Sequence, residues 1–161
     1  MRKVLTAMVL VSVLAGMSMA LDLTGKTGIG LRASNFSIRH FVNNSFGLDI
    51  GVGYSSSTDT SAPADSNAST YSLGGFYAKE IYQNTLFEVG ATLQGWQGLY
   101  QGTYYNGLSI NPFVGGECFI NDHVSFDGKV FLGTYGSQMM GPVRTTSLDI
   151  LSGNLGAHIY F

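Results

Sequence analysis

Charge is what this sequence is short of. Of its 161 residues only 11% are Asp, Glu, Lys or Arg, under half the ~25% of an ordinary soluble domain. A net charge of -2 offers no basic face to a nucleic acid. The single Cys118 excludes an internal disulfide, and no Cys/His cluster has zinc-ligand spacing, so neither a metal nor another cofactor is expected. Long apolar runs are missing too: after residue 20 no stretch of 18 apolar residues occurs, which excludes a membrane-spanning helix there. What the chain has instead is 22 Gly, ten Phe and nine Tyr. Its length fits one domain.

The first twenty residues read as an address. Met1-Arg2-Lys3 is a short basic start, Val4 to Gly16 is apolar apart from Thr6 and Ser12, and Ser18-Met19-Ala20 ends in small residues. This is the pattern of a cleaved secretory signal peptide, with residues 21–161 as the mature domain.

The mature chain reads as eight strands. Polar clusters at Asn43-Asn44-Ser45, Gln83-Asn84 and Asn121-Asp122-His123 each sit between two alternating segments, the hairpin signature. The predicted strands are Gly25 to Ala33, Phe36 to Val42, Phe46 to Tyr54, Tyr71 to Tyr82, Thr85 to Gly95, Leu108 to Ile120, Val124 to Tyr135 and Thr146 to Phe161. Longer connections are expected over Thr58 to Thr70, Tyr100 to Asn106 and Gln138 to Thr145. Tight turns at one end and long loops at the other are the asymmetry of a bacterial outer-membrane barrel.

Alternation produces two faces. One carries Phe46, Leu48, Ile50, Val52 and Tyr54, then Phe87, Val89, Ala91 and Leu93; the other is Gly, Ser, Asn and charge. A soluble sandwich and a membrane barrel both alternate this way. The shortage of charge on the polar face favours the barrel. Aromatics near strand ends (Tyr54, Tyr71, Trp96 and Tyr135 at one; Phe41, Tyr82, Phe119 and Phe161 at the other) read as two interfacial girdles.

The chain's end carries a resemblance. Leu151, Gly153, Leu155, Ala157, Ile159 and the final Phe161 alternate with Ser152, Asn154, Gly156, His158 and Tyr160. This resembles the terminal strand that outer-membrane barrels present to the barrel-assembly machinery. Residues 21–161 as a whole resemble the small eight-stranded barrels of the OmpA-transmembrane-domain, OmpX and opacity-protein kind. The resemblance implies an all-β, antiparallel, up-and-down transmembrane barrel in the outer membrane of a Gram-negative-type bacterium. It also implies Phe161 as assembly signal, periplasmic chaperones and the assembly machinery as partners during biogenesis, and lipid and lipopolysaccharide around the wall.

Residues flanking a tight turn pair across the hairpin and face one side. Val42 against Phe46 sets Arg39 opposite Asp49; Tyr82 against Thr85 sets Lys79 opposite Glu88; Ile120 against Val124 sets Glu117 opposite Asp127. All six then point inward at one depth, with His158 and Lys129 beside them. Facing carboxylates repel, so Glu117 and Asp127 should recruit Lys129 or His158, or share a proton. The register leaves Glu80 outward, and a slip of one residue there would turn Lys79 out instead. Such a belt either plugs a narrow barrel with ion pairs or gates an ion path.

Catalytic readings are weaker. His123-Val124-Ser125 matches the His-x-Ser of outer-membrane lipid A deacylases, but His123 falls in a turn at the opposite end from the outer leaflet. Glu117 and Asp127 as a hydrolytic carboxylate pair have no room for a sugar. The expected function is therefore not enzymatic: a barrel with a sealed, ion-paired lumen, acting through its surface loops on an unknown ligand in adhesion, surface interaction or envelope integrity. Tyr100, Tyr104 and Tyr105 are the candidate contact patch. The alternatives are a narrow pore for ions or small solutes and a lipid A-modifying enzyme.

Overall fold

The computed structural model describes residues 21–32, 35–57, 66–100 and 102–161; the signal peptide read at residues 1–20 and most of the Ser/Thr-rich connection lie outside them. No helix occurs among these residues. Ten strands do: β1 (Thr27–Arg32), β2 (Asn35–Asn43), β3 (Phe46–Ser57), β4 (Ser66–Tyr82), β5 (Thr85–Tyr100), β6 (Thr103–Asn121), β7 (Val124–Phe131), β8 (Thr134–Met140), β9 (Val143–Asp149) and β10 (Ser152–Tyr160).

All pairings are antiparallel, and eight strands close a ring in the order β1-β2-β3-β4-β5-β6-β7-β10. The expected seventh and eighth strands are each present in two segments. β8 continues β7 along the far half of β6, and β9 pairs with β8. The ring is complete only near the tight turns: β1 stops at Arg32 opposite Gly156, and among the described residues β9 pairs with β8 alone. Beyond that level the described residues form a sheet running from β3 to β9.

The connections away from the tight turns are shorter than the sequence suggests. Tyr100 pairs with Thr103 and Met140 with Val143, so most of the segments read as loops over Tyr100 to Asn106 and Gln138 to Thr145 are strand, turned at Gly102 (φ 74°) and Gly141 (φ 56°). Both glycines hold the left-handed conformation that a side chain disfavours.

Each tight hairpin carries a bulge, between Phe41 and Asn43, Glu80 and Tyr82, and Phe119 and Asn121. In the first and third, an Asn side chain shapes the turn. Asn43 Oδ1 accepts the N–H groups of Ser45 (2.8 Å) and Phe46 (2.9 Å), and Asn121 Oδ1 those of His123 and Val124 (2.9 Å each). The second hairpin has Tyr82 at that position and turns through Asn84 at φ 58°.

Large rings lie over four cross-strand glycines. Gly47 pairs with Phe76, Gly28 with Tyr160, Gly95 with Tyr71 and Gly107 with Trp96, and a Cβ at any of these glycines would run into the ring opposite. Burial alternates along the ring strands. Phe41, Phe76, Phe113, Phe119 and Tyr160 are buried inside, while Ile38, Leu48, Ile50, Val52, Val89 and Val130 are exposed on the outer wall. This corrects the girdle reading: Phe41 and Phe119 are core residues. Tyr54, Tyr71, Tyr135, Tyr82 and Phe161 do stand exposed.

The residues before β1 cork the turn-side end. Leu23 is buried in the aromatic cluster. Asn44 Oδ1 accepts the N–H groups of Leu23 (2.7 Å) and Thr24 (3.1 Å), and Lys26 Nζ donates to the Asp122 carbonyl (3.3 Å). The turn from Leu23 to Lys26 closes with a 3.0 Å backbone bond, its third position being Gly25 at φ 76°, the residue a type II turn demands.

Candidate functional site

Inside the ring, charge is concentrated in one belt. The fourth residue of β3, of β5 and of β7 (Asp49, Glu88 and Asp127) points inward from an equivalent position after its turn. Arg39, Glu117 and Lys129 join from β2, β6 and β7, His158 from β10 and Arg32 from β1. β4 contributes the Phe76 ring, over which the Arg39 guanidinium sits at 4.6 Å.

Arg39 is the hub. It is fully buried, with Nη1 donating to Glu88 Oε1 (2.7 Å) and Glu117 Oε2 (2.5 Å) and Nη2 to Asp49 Oδ2 (3.3 Å). Asp49 also receives Arg32 Nη1 (2.5 Å) and Lys129 Nζ (2.9 Å). Lys129 lies 4.2 Å from the centre of the Phe113 ring. Glu117 Oε1 accepts the hydroxyls of Ser125 (2.5 Å) and Tyr160 (2.8 Å). Asp127 is held by Arg32 Nε (3.1 Å), with His158 Nδ1 at 3.2 Å, and His158 Nε2 lies 2.7 Å from Ser37 Oγ. A buried charge costs several kcal/mol unless it is paired, and here each has a partner of opposite sign.

Two parts of the expected belt change. Arg39 does stand opposite Asp49, and Glu117 opposite Asp127. Lys79 does not oppose Glu88: Ala78 does, and Lys79 pairs with Phe87 and is exposed. The bulge between Glu80 and Tyr82 moves the register by one residue, so Glu80 stands opposite Leu86, and it is itself exposed. The carboxylates Glu117 and Asp127 also find other partners than expected. Arg39 takes Glu117, while Arg32, absent from the sequence reading, takes Asp127 together with His158; Lys129 goes to Asp49. One spacing foreshadows the belt. Asp49, Glu88 and Asp127 lie 39 residues apart in turn, as do Arg39, Ala78 and Glu117.

No protein-family model matches the chain, and no curated protein does either.

The remaining candidates are placed as follows. His123 Nδ1 lies 3.0 Å from the Tyr160 carbonyl oxygen, and the Ser125 hydroxyl donates to Glu117, so the His-x-Ser pair makes no nucleophile. Tyr100 and Tyr104 are exposed, whereas Tyr105 is half-buried, with its hydroxyl 3.5 Å from the Asn67 carbonyl. All three are strand residues, not loop residues. Phe161 is exposed, and its backbone exchanges hydrogen bonds with Thr27 at 3.1 and 3.2 Å, closing the ring. Away from the turns, above the belt, lies a cavity of about 50 Å³ lined by Arg32, Ser37, Lys129, Thr92, Gln94 and Asn154, room for a few waters.

Proposed function

We propose that this chain is an outer-membrane β-barrel whose lumen is sealed by the ion-paired belt, and that it acts through its exposed hairpin ends in surface interaction, adhesion or envelope integrity. One observation carries the reading, the inversion of polarity between the two faces. Arg39 and Glu88 are 0% exposed inside the ring, while Leu48, Ile50 and Val52 are 48%, 50% and 53% exposed outside it. Removing one such aliphatic side chain from water is worth ~1.5–3 kcal/mol, and soluble monomers rarely expose apolar patches beyond about 300–600 Å². A wall built this way is stable with hydrocarbon around it. Exposed Tyr54, Tyr71 and Tyr135 at one end and Tyr82 and Phe161 at the other suit the two membrane interfaces.

The belt supports a closed lumen. Its partners meet at hydrogen-bonding distance across the interior, and the aromatic layer with Leu23 blocks the turn side. With the lumen shut, contacts are left to the far ends of the strands, where Tyr100 and Tyr104 present aromatic surface.

The test uses protein purified from the membranes of an expressing Gram-negative host. Fractionation should recover the chain folded in the outer membrane and resistant to alkaline extraction; a folded soluble pool would overturn the membrane reading. In a planar bilayer the protein should be silent. Steady openings would replace the sealed barrel with a pore gated at the belt.

A further inference from the structure

The belt contains an arrangement that ion pairing alone does not require. Ser37 Oγ lies 2.7 Å from His158 Nε2, and His158 Nδ1 lies 3.2 Å from Asp127 Oδ1. The hydroxyl, imidazole and carboxylate come from β2, β10 and β7 and stand in the relative order of a charge-oriented serine nucleophile. The Nδ1 contact is not aligned as a hydrogen bond; such contacts tighten when a reacting group is bound.

The surroundings complete the constellation. Ser37 lines the 50 Å³ cavity, so its hydroxyl has a space to react into. Arg32 lines the same cavity, and its Nη2 makes no aligned hydrogen bond, only an ion-pair contact of 3.0 Å with Asp127. A cation at that place can receive a developing oxyanion. Among the described residues β1 and β10 pair no further than Arg32 and Gly156, so this cavity lies at the level where the described ring ends.

We propose that Ser37 is a nucleophile activated by His158, with Asp127 as the positioning residue, and that the site hydrolyses esters of short carboxylic acids. The size of the cavity sets the acyl group at about that of acetyl. The Ser37 oxygen bonds to the carbonyl carbon as its proton passes to His158 Nε2, and the oxyanion faces Arg32. The ester C–O bond then breaks, and the alcohol leaves with the proton from His158. Water attacks the acyl-serine, His158 takes and returns a proton, and the carboxylic acid departs with Ser37 restored. The proposal rests on interior geometry and is independent of where the protein resides.

The experiment treats the detergent-solubilised full chain, purified from host membranes, with 4-nitrophenyl acetate and maps the acetylated residues by mass spectrometry. Acetyl on Ser37 is expected, with the Ser37-dependent release of nitrophenol falling ~100-fold or more in Ser37→Ala. The adduct should disappear in His158→Gln and persist in His123→Ala. Asp127→Asn should slow formation of the Ser37 adduct while leaving its position unchanged. Acetylation confined to exposed groups such as Lys79, with Ser37 unmodified in folded protein, would overturn the assignment. Mapping on the unaltered chain decides this whether or not His158→Gln folds.

Discussion

At the scale of single residues, Arg39 and Arg144 make a controlled comparison. Arg39 is fully buried and bonds two carboxylates that have few other cations within reach, whereas Arg144 is exposed and its side chain donates to the Ser137 hydroxyl at 2.9 Å. Arg39→Ala leaves Glu88 and Glu117 uncompensated in the interior and should cost ~3–5 kcal/mol. Arg144→Ala should stay within ~0.5 kcal/mol. Denaturant titration of the two variants in the same detergent or vesicles checks the difference, and equal losses would remove Arg39 from its place as hub. Lys79→Ala belongs with Arg144: the residue faces out, and its loss should leave the belt intact.

At the scale of elements, the hairpins and the cork carry the local chemistry. The three hairpins share a bulge, and a bulge shifts every inward residue after it by one. Where an Asn side chain shapes the turn, counting Asn43-Asn44-Ser45 or Asn121-Asp122-His123 as a three-residue loop absorbs the bulge and the register comes out right. In the second hairpin Tyr82 takes the place of that Asn, nothing in the sequence marks the extra residue, and counting across the turn places Lys79 on the wrong face.

The cork yields two expectations. Leu23→Ala removes a side chain 1% exposed from the aromatic cluster and should cost ~2–5 kcal/mol, read in the same unfolding assay. Asp22 accepts the Thr24 N–H at 3.1 Å, which holds its carboxyl below the ordinary aspartate value. A depressed folded pKa contributes stability above the unfolded pKa and loses it as pH falls through the folded one. The protection factor of the Thr24 amide, its exchange rate set against the intrinsic rate at each pH, should therefore fall in that acid window, and Asp22→Asn should abolish the acid-dependent component.

At the scale of the whole molecule, ring closure rests on one short seam. β1 and β10 pair over Gly28–Arg32 and Gly156–Tyr160, and Phe161 adds two backbone bonds with Thr27. Deleting Phe161 removes both bonds and the terminal aromatic at once. Outer-membrane levels of the truncated chain, measured by immunoblot of fractionated cells, should fall well below those of the full chain; equal levels would mean that neither the seam nor the terminal residue limits assembly.

The sequence by itself determined the eight alternating segments, the three tight turns at Asn43–Ser45, Gln83–Asn84 and Asn121–His123 and which face of most strands turns inward, because period-two alternation and Asn-rich turns act between near neighbours. It placed Arg39 against Asp49 and Glu117 against Asp127 for the same reason. The turns at Gly102 and Gly141 and the splitting of the last two strands it did not mark. Only the tertiary structure decided which charges meet. Arg39 reaches Glu88 and Glu117 across the interior, Arg32 reaches Asp127, and Ser37 meets His158, pairs 49, 78, 95 and 121 residues apart. Those contacts depend on how the sheet closes on itself and on the stagger of its strands, which no local pattern encodes.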